Sequence, residues 1–174
     1  MKKTLRQQAL QCRKTLNLGQ ISEQICKNIS TISEYICAEN IGIFYPKEVE
    51  INILSLCKDK AKKFFLPKVS GETMEFYRFT GEDELVKGEF GIYEPKTNQQ
   101  AEKLDVIVTP ALMADKRGYR LGWGGGFYDR YLENFSGIII CPVPHSQLVD
   151  VLPSESYDKK CNFVVTENKI IKIL

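Results

Sequence analysis

The sequence predicts a layered α/β fold with a mixed, largely parallel sheet. Short apolar runs rich in β-branched residues, of which Val106–Val108 is the clearest, alternate with segments of helical periodicity. That alternation is typical of a sheet packed against helices. A chain of 174 residues is the usual size of one domain, so we expect residues 1–174 to form a single domain. Ligands of such sheets bind beyond the carboxyl ends of the strands.

A first helix is predicted at the N-terminus and is expected to stop near Gly19. Its apolar face is formed at helical spacing by Leu5, Ala9, Cys12 and Leu16. At about 100° per residue, Lys2, Arg6 and Arg13 line up beside that face. These cations form either a solvated basic surface or an anion clamp that reaches into a cleft.

The remaining elements follow in alternation. Further helices are predicted over residues 22–37 and 50–63, and another begins at Phe127. The predicted strands are the apolar runs 41–46, 64–69, 74–79, 104–110, 137–141 and 162–167, several of which end at a proline or a polar turn.

Composition excludes several classes of protein. The net charge of +2 is too small to indicate a nucleic-acid or membrane partner. Six cysteines without any CxxC pair disfavour a zinc or thioredoxin-type site, and His145 is the only histidine. There is no apolar run of membrane-spanning length and no signal-peptide core after Met1. We therefore expect a cytoplasmic protein with reduced thiols.

The stretch YRLGWGGGFYDRYL, residues 119–132, is the main candidate for a ligand site. It matches neither GxxxxGK[ST] nor GxGxxG, whose third glycine is replaced by Phe127. Bare backbone leading into a helix nevertheless offers free N–H groups to a phosphate. Asp129 either compensates the helix dipole, worth less than ~1 kcal/mol, or binds Mg²⁺ beside phosphates. Arg120 can neutralise phosphate charge.

Taken together, the chain resembles the 5-formyltetrahydrofolate cyclo-ligase family over essentially its whole length. The resemblance is carried by KKTLR (2–6), FYPKEVEI (44–51), FFLPKV (64–69), GIYEP (91–95), LPSESYDKKCNFVVTE (152–167) and, most specifically, DVIVTPALMADKRGYRLGWGGGFYDRYL (105–132). It implies an α/β sandwich related to sugar-phosphate isomerases and CoA transferases. It also implies ATP- and Mg²⁺-dependent closure of 5-formyltetrahydrofolate to 5,10-methenyltetrahydrofolate, in which ATP is consumed and ADP and phosphate are released. We expect a monomer that binds small molecules and neither nucleic acid nor membranes.

The resemblance also implies roles for individual residues. Nucleotide binding falls on Lys2, Lys3, Arg6, Arg120, Leu121, Gly122, Trp123, Gly124, Gly125, Gly126, Phe127 and Tyr128. Folate contacts fall on Tyr45, Glu48, Trp123, Gly124, Gly125, Gly126 and Phe127. Asp129 and Asp158 correspond to the Mg²⁺ ligands, and Arg120, Asp129 and Glu48 to the catalytic residues. The chain departs from the common family pattern at Trp123, Phe127, Tyr157 and Asn162, where arginine, tyrosine, histidine and aspartate are usual.

The implied chemistry suits these residue types. The γ-phosphoryl group of ATP is expected to activate the formyl oxygen, after which N10 of the folate attacks the formyl carbon. Phosphoryl transfer depends mainly on positioning and charge neutralisation, so it requires no histidine. Two alternatives are open: an isomerase or CoA-transferase-like enzyme that needs no ATP, and a nucleic-acid-binding module that uses the basic first helix.

Overall fold

The computed structural model describes residues 1–88 and 91–173 and places helices on both faces of a central sheet. The helices are α1 (Lys2–Arg13), α2 (Leu18–Ile29), α3 (Ser33–Cys37) and α4 (Phe127–Leu132). The strands are β1 (Asn40–Gly42), β2 (Lys63–Ser70), β3 (Thr73–Phe79), β4 (Leu85–Lys87), β5 (Tyr93–Pro95), β6 (Val106–Val108), β7 (Met113–Asp115), β8 (Arg120–Leu121), β9 (Ile138–Pro142), β10 (Leu148–Val149), β11 (Phe163–Val165) and β12 (Ile170–Lys172).

The main sheet has seven strands in the order β12-β11-β9-β6-β1-β2-β3. The five inner strands are mutually parallel, and β12 and β3 pair antiparallel at the two edges. Strands β10, β7 and β8 form a small second sheet, and β4 pairs with β5 in a two-stranded ribbon. The predicted fold class, a layered α/β structure with a mixed, largely parallel sheet, is confirmed.

The apolar runs of the inner strands fill two cores, one on each face of the sheet. In β6, Val106 and Val108 belong to one core and Ile107 to the other, because successive strand residues point to opposite faces. Helices α2 and α3 pack on the first face through residues such as Ile25 and Ile29. Helix α4 covers the second face. Each large aliphatic side chain buried in this way contributes about 1.5–3 kcal/mol.

Two helix predictions were wrong in extent. Residues 22–37 do not form one helix, since α2 ends at Ile29 and α3 begins at Ser33. Residues 50–63 contain only a short 3₁₀ turn, Leu54–Lys58. Before this turn the chain is extended, so Ile51 and Ile53 lie in the core while the side chain of Asn52 between them is exposed. Strand β12 was not predicted.

Helix α1 ends earlier than expected, at Arg13, because α2 already begins at Leu18 with Asn17 as its N-cap. The guanidinium of Arg13 is almost completely buried, with 1% of the side chain exposed. It donates hydrogen bonds to the Gln147 side chain and to the backbone carbonyls of Val49, Ala111 and Leu112. Arg13 therefore fastens α1 to the body of the protein, and the anion-clamp hypothesis is wrong for this residue.

All six cysteines are free thiols, and Cys26, Cys141 and Cys161 are buried. Among the described residues, no helix is long and apolar enough to cross a membrane.

Candidate active site

A cavity of about 410 Å³ opens at the carboxyl ends of β1 and β6. In the main sheet, β2 and β3 follow β1 on one side of it, whereas β6, β9 and β11 are added in turn on its other side. The direction in which strands are added therefore reverses between β1 and β6. In open α/β sheets this reversal creates the crevice in which ligands bind. Phe44 and Tyr45 follow β1, Pro110 follows β6, and all three line the cavity.

The glycine loop, residues 122–126, joins β8 to α4 and forms one wall of this cavity. Gly124 and Gly126 have positive φ angles of 107° and 71°, a region that side chains strongly disfavour. A Cβ atom on Gly124 would also lie only 3.2 Å from the guanidinium carbon of Arg6. The bare backbone thus permits both a left-handed turn and close approach of a cation from α1. All predicted residues of the loop, from Arg120 to Tyr128, line the cavity.

Three cations gather at the end of the cavity formed by α1 and β8. Arg6 donates its Nε–H to the carbonyl of Gly122 at 2.8 Å, and no carboxylate among the described residues pairs with it. Lys2 pairs with Asp158 at 2.7 Å, and Arg120 pairs with Asp129 at 2.8 Å. The Arg120 side chain is only 4% exposed, so its position is well constrained by packing.

Asp129 and Asp158, the predicted metal ligands, both face the cavity. Asp129 also accepts a hydrogen bond from the backbone of Lys159, and Asp158 accepts one from that of Glu155. Within residues 1–88 and 91–173, no three His, Cys, Asp or Glu side chains cluster as a ready metal site. The two carboxylates fit an ion that takes its other ligands from phosphate oxygens and water, which is how Mg²⁺ is usually bound.

Two predicted site residues lie elsewhere. Lys3 is exposed and does not line the cavity, because one helical step turns it about 100° from Lys2. Glu48 is also exposed and outside the lining residues. It lies in a turn closed by a 2.9 Å hydrogen bond from Glu50 N–H to the Lys47 carbonyl, and that turn directs Glu50 inward instead.

Glu50 is a buried lining residue that sequence reasoning missed, with 6% exposure. Its two carboxylate oxygens accept hydrogen bonds from Trp123 Nε1 at 2.7 Å and from the Lys47 backbone N–H at 2.8 Å. The Lys47 ammonium lies 4.3 Å from the centre of the Trp123 ring, in a cation–π contact. These three residues hold the indole as part of the cavity wall.

The opposite end of the cavity is apolar. It is lined by Pro67, Val69, Met74 and Ile92, and among the residues that the structure describes its one carboxylate is that of Glu94 in β5. Sequence reasoning missed this end, although an acid at an inward position of a short strand in GIYEP was a signal that could have indicated it. The cavity therefore has a charged end beside the glycine loop and an apolar end beside β2 and β3.

Two tyrosines of the lining differ in how their hydroxyls are used. The Tyr45 hydroxyl donates to Glu82 at 2.7 Å, and this hydrogen bond, assisted by burial, raises the pKa of Tyr45 to about 12. The Tyr128 hydroxyl is buried and lacks a hydrogen-bond partner among the described residues. Burial raises the pKa of Tyr128, so both phenols are neutral at physiological pH.

Comparison with known proteins gives a consistent result. Residues 1–167 match the model of the 5-formyltetrahydrofolate cyclo-ligase family. The chain is 32% identical over 156 residues to 5-formyltetrahydrofolate cyclo-ligase of Haemophilus influenzae, covering 82% of this chain and 83% of the relative. It is 31% identical over 164 residues to the Escherichia coli K12 enzyme of the same name, covering 87% and 90%.

Solved structures agree with the sequence comparison. The chain resembles the Aquifex aeolicus 5,10-methenyltetrahydrofolate synthetase with a TM-score of 0.87 and 30% identity, covering 99% of this chain and 92% of that one. The fold is also that of a Mycoplasma pneumoniae protein, with a TM-score of 0.76 at 23% identity, covering 95% and 98%.

Proposed function

We propose an ATP-dependent cyclisation for this chain, which belongs to the 5-formyltetrahydrofolate cyclo-ligase family and is a ligase. Its reaction is the conversion of 5-formyltetrahydrofolate to 5,10-methenyltetrahydrofolate in the cavity between β1 and β6. The observation that carries the proposal is the division of this cavity into a cationic, glycine-walled end and an apolar end with one carboxylate. Two chemically different substrates can therefore lie side by side at the loop that separates those ends.

The cationic end suits the triphosphate of ATP. Arg6 contributes a positive charge that no acid of the described chain neutralises, and Lys2 and Arg120 lie beside it. The loop backbone over Gly122–Gly126 approaches the cavity without side chains on four of its five residues. Unobstructed N–H groups and cations are the usual components of phosphate binding sites. We assign nucleotide binding to Lys2, Arg6 and the loop, and exclude Lys3.

Asp129 and Asp158 are the residues of the described chain that would hold Mg²⁺. When bound there, the ion would neutralise phosphate charge during phosphoryl transfer. Arg120 and Lys2 form ion pairs with Asp129 and Asp158, respectively. Both ion pairs are part-buried, which helps to keep these four side chains in place in the cavity wall.

The reaction requires activation of the formyl group. Transfer of the γ-phosphoryl group to the formyl oxygen releases ADP and turns that oxygen into a leaving group. N10 then attacks the formyl carbon and loses its proton to solvent, and departure of inorganic phosphate completes the methenyl bridge. The contribution of the chain is to hold the formyl oxygen in line with the phosphoryl group and to neutralise charge, through Arg6, Arg120 and the loop.

The folate is assigned to the other side of the loop. Tyr45, Trp123 and Phe127 present aromatic surface there, and a flat heterocycle stacks favourably on such surface. Trp123 is 38% exposed, which leaves part of its ring available. Glu48 is exposed, so its proposed contact with the folate is not supported by its position.

The direct test mixes the purified chain with 5-formyltetrahydrofolate, ATP and Mg²⁺ and follows the near-ultraviolet absorbance of the methenyl product together with ADP release. Both signals should rise in equal amounts and require all three components. Product formation without ATP, or ATP hydrolysis without product, would contradict the proposal.

A matched pair of variants tests the nucleotide assignment. Arg6→Gln should raise the KM for ATP by roughly 10–100-fold, since a hydrogen bond to a charged group contributes about 1.5–3 kcal/mol. Lys3→Gln removes a neighbouring charge outside the cavity and should leave that KM within about twofold of wild type. Equal effects of both variants would show that only the general charge of α1 matters.

A further inference from the structure

We propose that Glu94 selects the folate by accepting the two adjacent N–H donors of its pyrimidine ring, at the 2-amino group and N3. The inference rests on the proposed function and adds a specificity-determining residue to it. Within the part of the chain that the structure describes, Glu94 is the acid that lines the apolar end of the cavity, and its carboxylate can accept more hydrogen bonds than the one it receives from Val69.

Glu94 is buried at the apolar end. It is 9% exposed, and its Oε1 accepts a 3.0 Å hydrogen bond from the backbone N–H of Val69 in β2. A Cβ atom on Gly88 would collide with the carboxylate, so the bare backbone of Gly88 makes the room in which the acid lies. The neighbouring lining side chains, including Met74 and Ile92, are apolar.

The other acids of the cavity are already satisfied. Glu50 has a donor on each oxygen, from Trp123 and Lys47. Asp129 and Asp158 each combine an ion pair with a backbone hydrogen bond. Among the described residues, Glu94 receives a single hydrogen bond and no cation within ion-pair distance. A carboxylate that is nine-tenths buried with so few partners is costly unless a ligand supplies donors.

The chemistry of the missing donors identifies the ligand. A carboxylate binds two parallel N–H groups in a bidentate, charge-assisted arrangement, which is strengthened in apolar surroundings. The 2-amino-4-oxopyrimidine edge of a reduced folate presents such a pair. Adenine instead offers an amino group next to a ring nitrogen that accepts hydrogen bonds, and phosphates are anionic, so Glu94 disfavours both. Glu94 thereby orients the folate with its pteridine at the apolar end and away from the nucleotide.

The test uses Glu94→Gln, because the glutamine carbonyl can keep the hydrogen bond from Val69 while its amide turns donors toward the ligand. Binding is measured without turnover, by calorimetry with 5-formyltetrahydrofolate alone and with ATP alone. We expect the folate Kd to rise by roughly 10–100-fold, the ATP Kd to stay within about twofold, and the thermal midpoint to be retained. The control Glu72→Gln makes the same charge change in the exposed β2–β3 turn and should alter neither Kd.

A second arm separates recognition from a general structural effect. A 5-formyltetrahydrofolate analogue with methyl in place of the 2-amino group should bind wild type far more weakly than the natural compound. In Glu94→Gln the difference between the two compounds should largely disappear. If the variant binds natural folate as wild type does, or discriminates against the analogue equally, the inference is overturned while wild-type turnover still supports the proposed function. If wild type itself neither binds nor converts 5-formyltetrahydrofolate, both fail together.

Discussion

Replacing Arg13 by methionine tests how the N-terminal helix is attached. The guanidinium is buried and donates four hydrogen bonds, to the Gln147 side chain and to three backbone carbonyls. No carboxylate of the described chain forms an ion pair with it. Methionine has a similar length and fills the space, but it removes every one of these hydrogen bonds.

The expected loss follows from two opposing contributions. Four hydrogen bonds from a charged donor, at no less than about 1.5 kcal/mol each, stabilise the fold by roughly 6 kcal/mol. Burial of the cation costs several kcal/mol, taken here as about 3 kcal/mol, and the same burial lowers the pKa of Arg13. The difference is about 3 kcal/mol in favour of the native arrangement. Arg13→Met should therefore lower the free energy of unfolding by about 3 kcal/mol, out of a total of about 5–15 kcal/mol.

Urea unfolding followed by circular dichroism measures this change, with Lys14→Met as the control. Lys14 is the exposed neighbour of Arg13, so its loss should change the free energy of unfolding by less than about 0.5 kcal/mol. Since α1 also carries Arg6, Arg13→Met should raise the KM for ATP even under conditions in which it is folded. A stability within about 1 kcal/mol of the Lys14 control would refute the claim that Arg13 fastens α1.

Three further outcomes are expected. Gly124→Ala places a Cβ atom on a residue with a φ of 107°, only 3.2 Å from the guanidinium carbon of Arg6. It should therefore lower the free energy of unfolding in urea by at least about 1–2 kcal/mol and raise the KM for ATP. Unchanged values of both would contradict the close approach of Arg6 to the loop. Trp123→Phe removes the indole N–H that donates to Glu50, so it should lower the free energy of unfolding by about 1–3 kcal/mol, measured by urea unfolding. An unchanged free energy of unfolding would contradict a stabilising role for this hydrogen bond. Asp105 accepts hydrogen bonds from the backbone N–H groups of Asn40 and Glu39, and these, that of Asn40 most, lower its pKa. The contribution of Asp105 to the stability of the fold is therefore complete above about pH 4 and is lost as the pH falls further. The difference in thermal midpoint between wild type and Asp105→Asn should shrink below pH 4, and a constant difference would count against this assignment.

The fold class could be predicted because the inner strands are buried on both faces. Such strands are continuous apolar runs, and Val106–Val108 was recognisable from residue type alone. The segment 50–63 was misread because Ile53, Leu56 and Cys57 stand at the helical spacing i, i+3 and i+4, whereas the burial of Ile51 and Ile53 follows the period of two of an extended chain. The burial of alternate residues there depends on the neighbouring helix, for the Asn52 N–H is bound by the Ser22 hydroxyl.

The part of the site that could be predicted is the loop whose residues are consecutive in the sequence. The residues that reach the cavity from distant segments of the chain could not be predicted, because the fold alone brings them together. The loop from Arg120 to Tyr128 was identified from its glycines and from the family resemblance, and it lines the cavity. Glu50 comes from a turn whose inward direction no local sequence pattern indicates, and Glu94 comes from a strand too short for its motif GIYEP to be more than a weak signal. Arg13 was grouped with Lys2 and Arg6 because helical spacing gives the angle of a side chain but not what packs against it.

The charge of the cationic end follows from how its side chains are paired. Lys2 and Arg120 are each paired with a carboxylate, so Arg6 is the cation of the described residues at this end that has no carboxylate partner. If Asp129 and Asp158 take a metal ion together with the nucleotide, Arg120 and Lys2 lose their partners at the moment when phosphate oxygens become available to them. Metal and nucleotide binding would then be cooperative without any rearrangement of the backbone, because the same four side chains exchange partners within one cavity. We expect Arg6, which pairs with no carboxylate among the described residues, to attract the anion first, while the two ion pairs limit the electrostatic cost of keeping so many charges together.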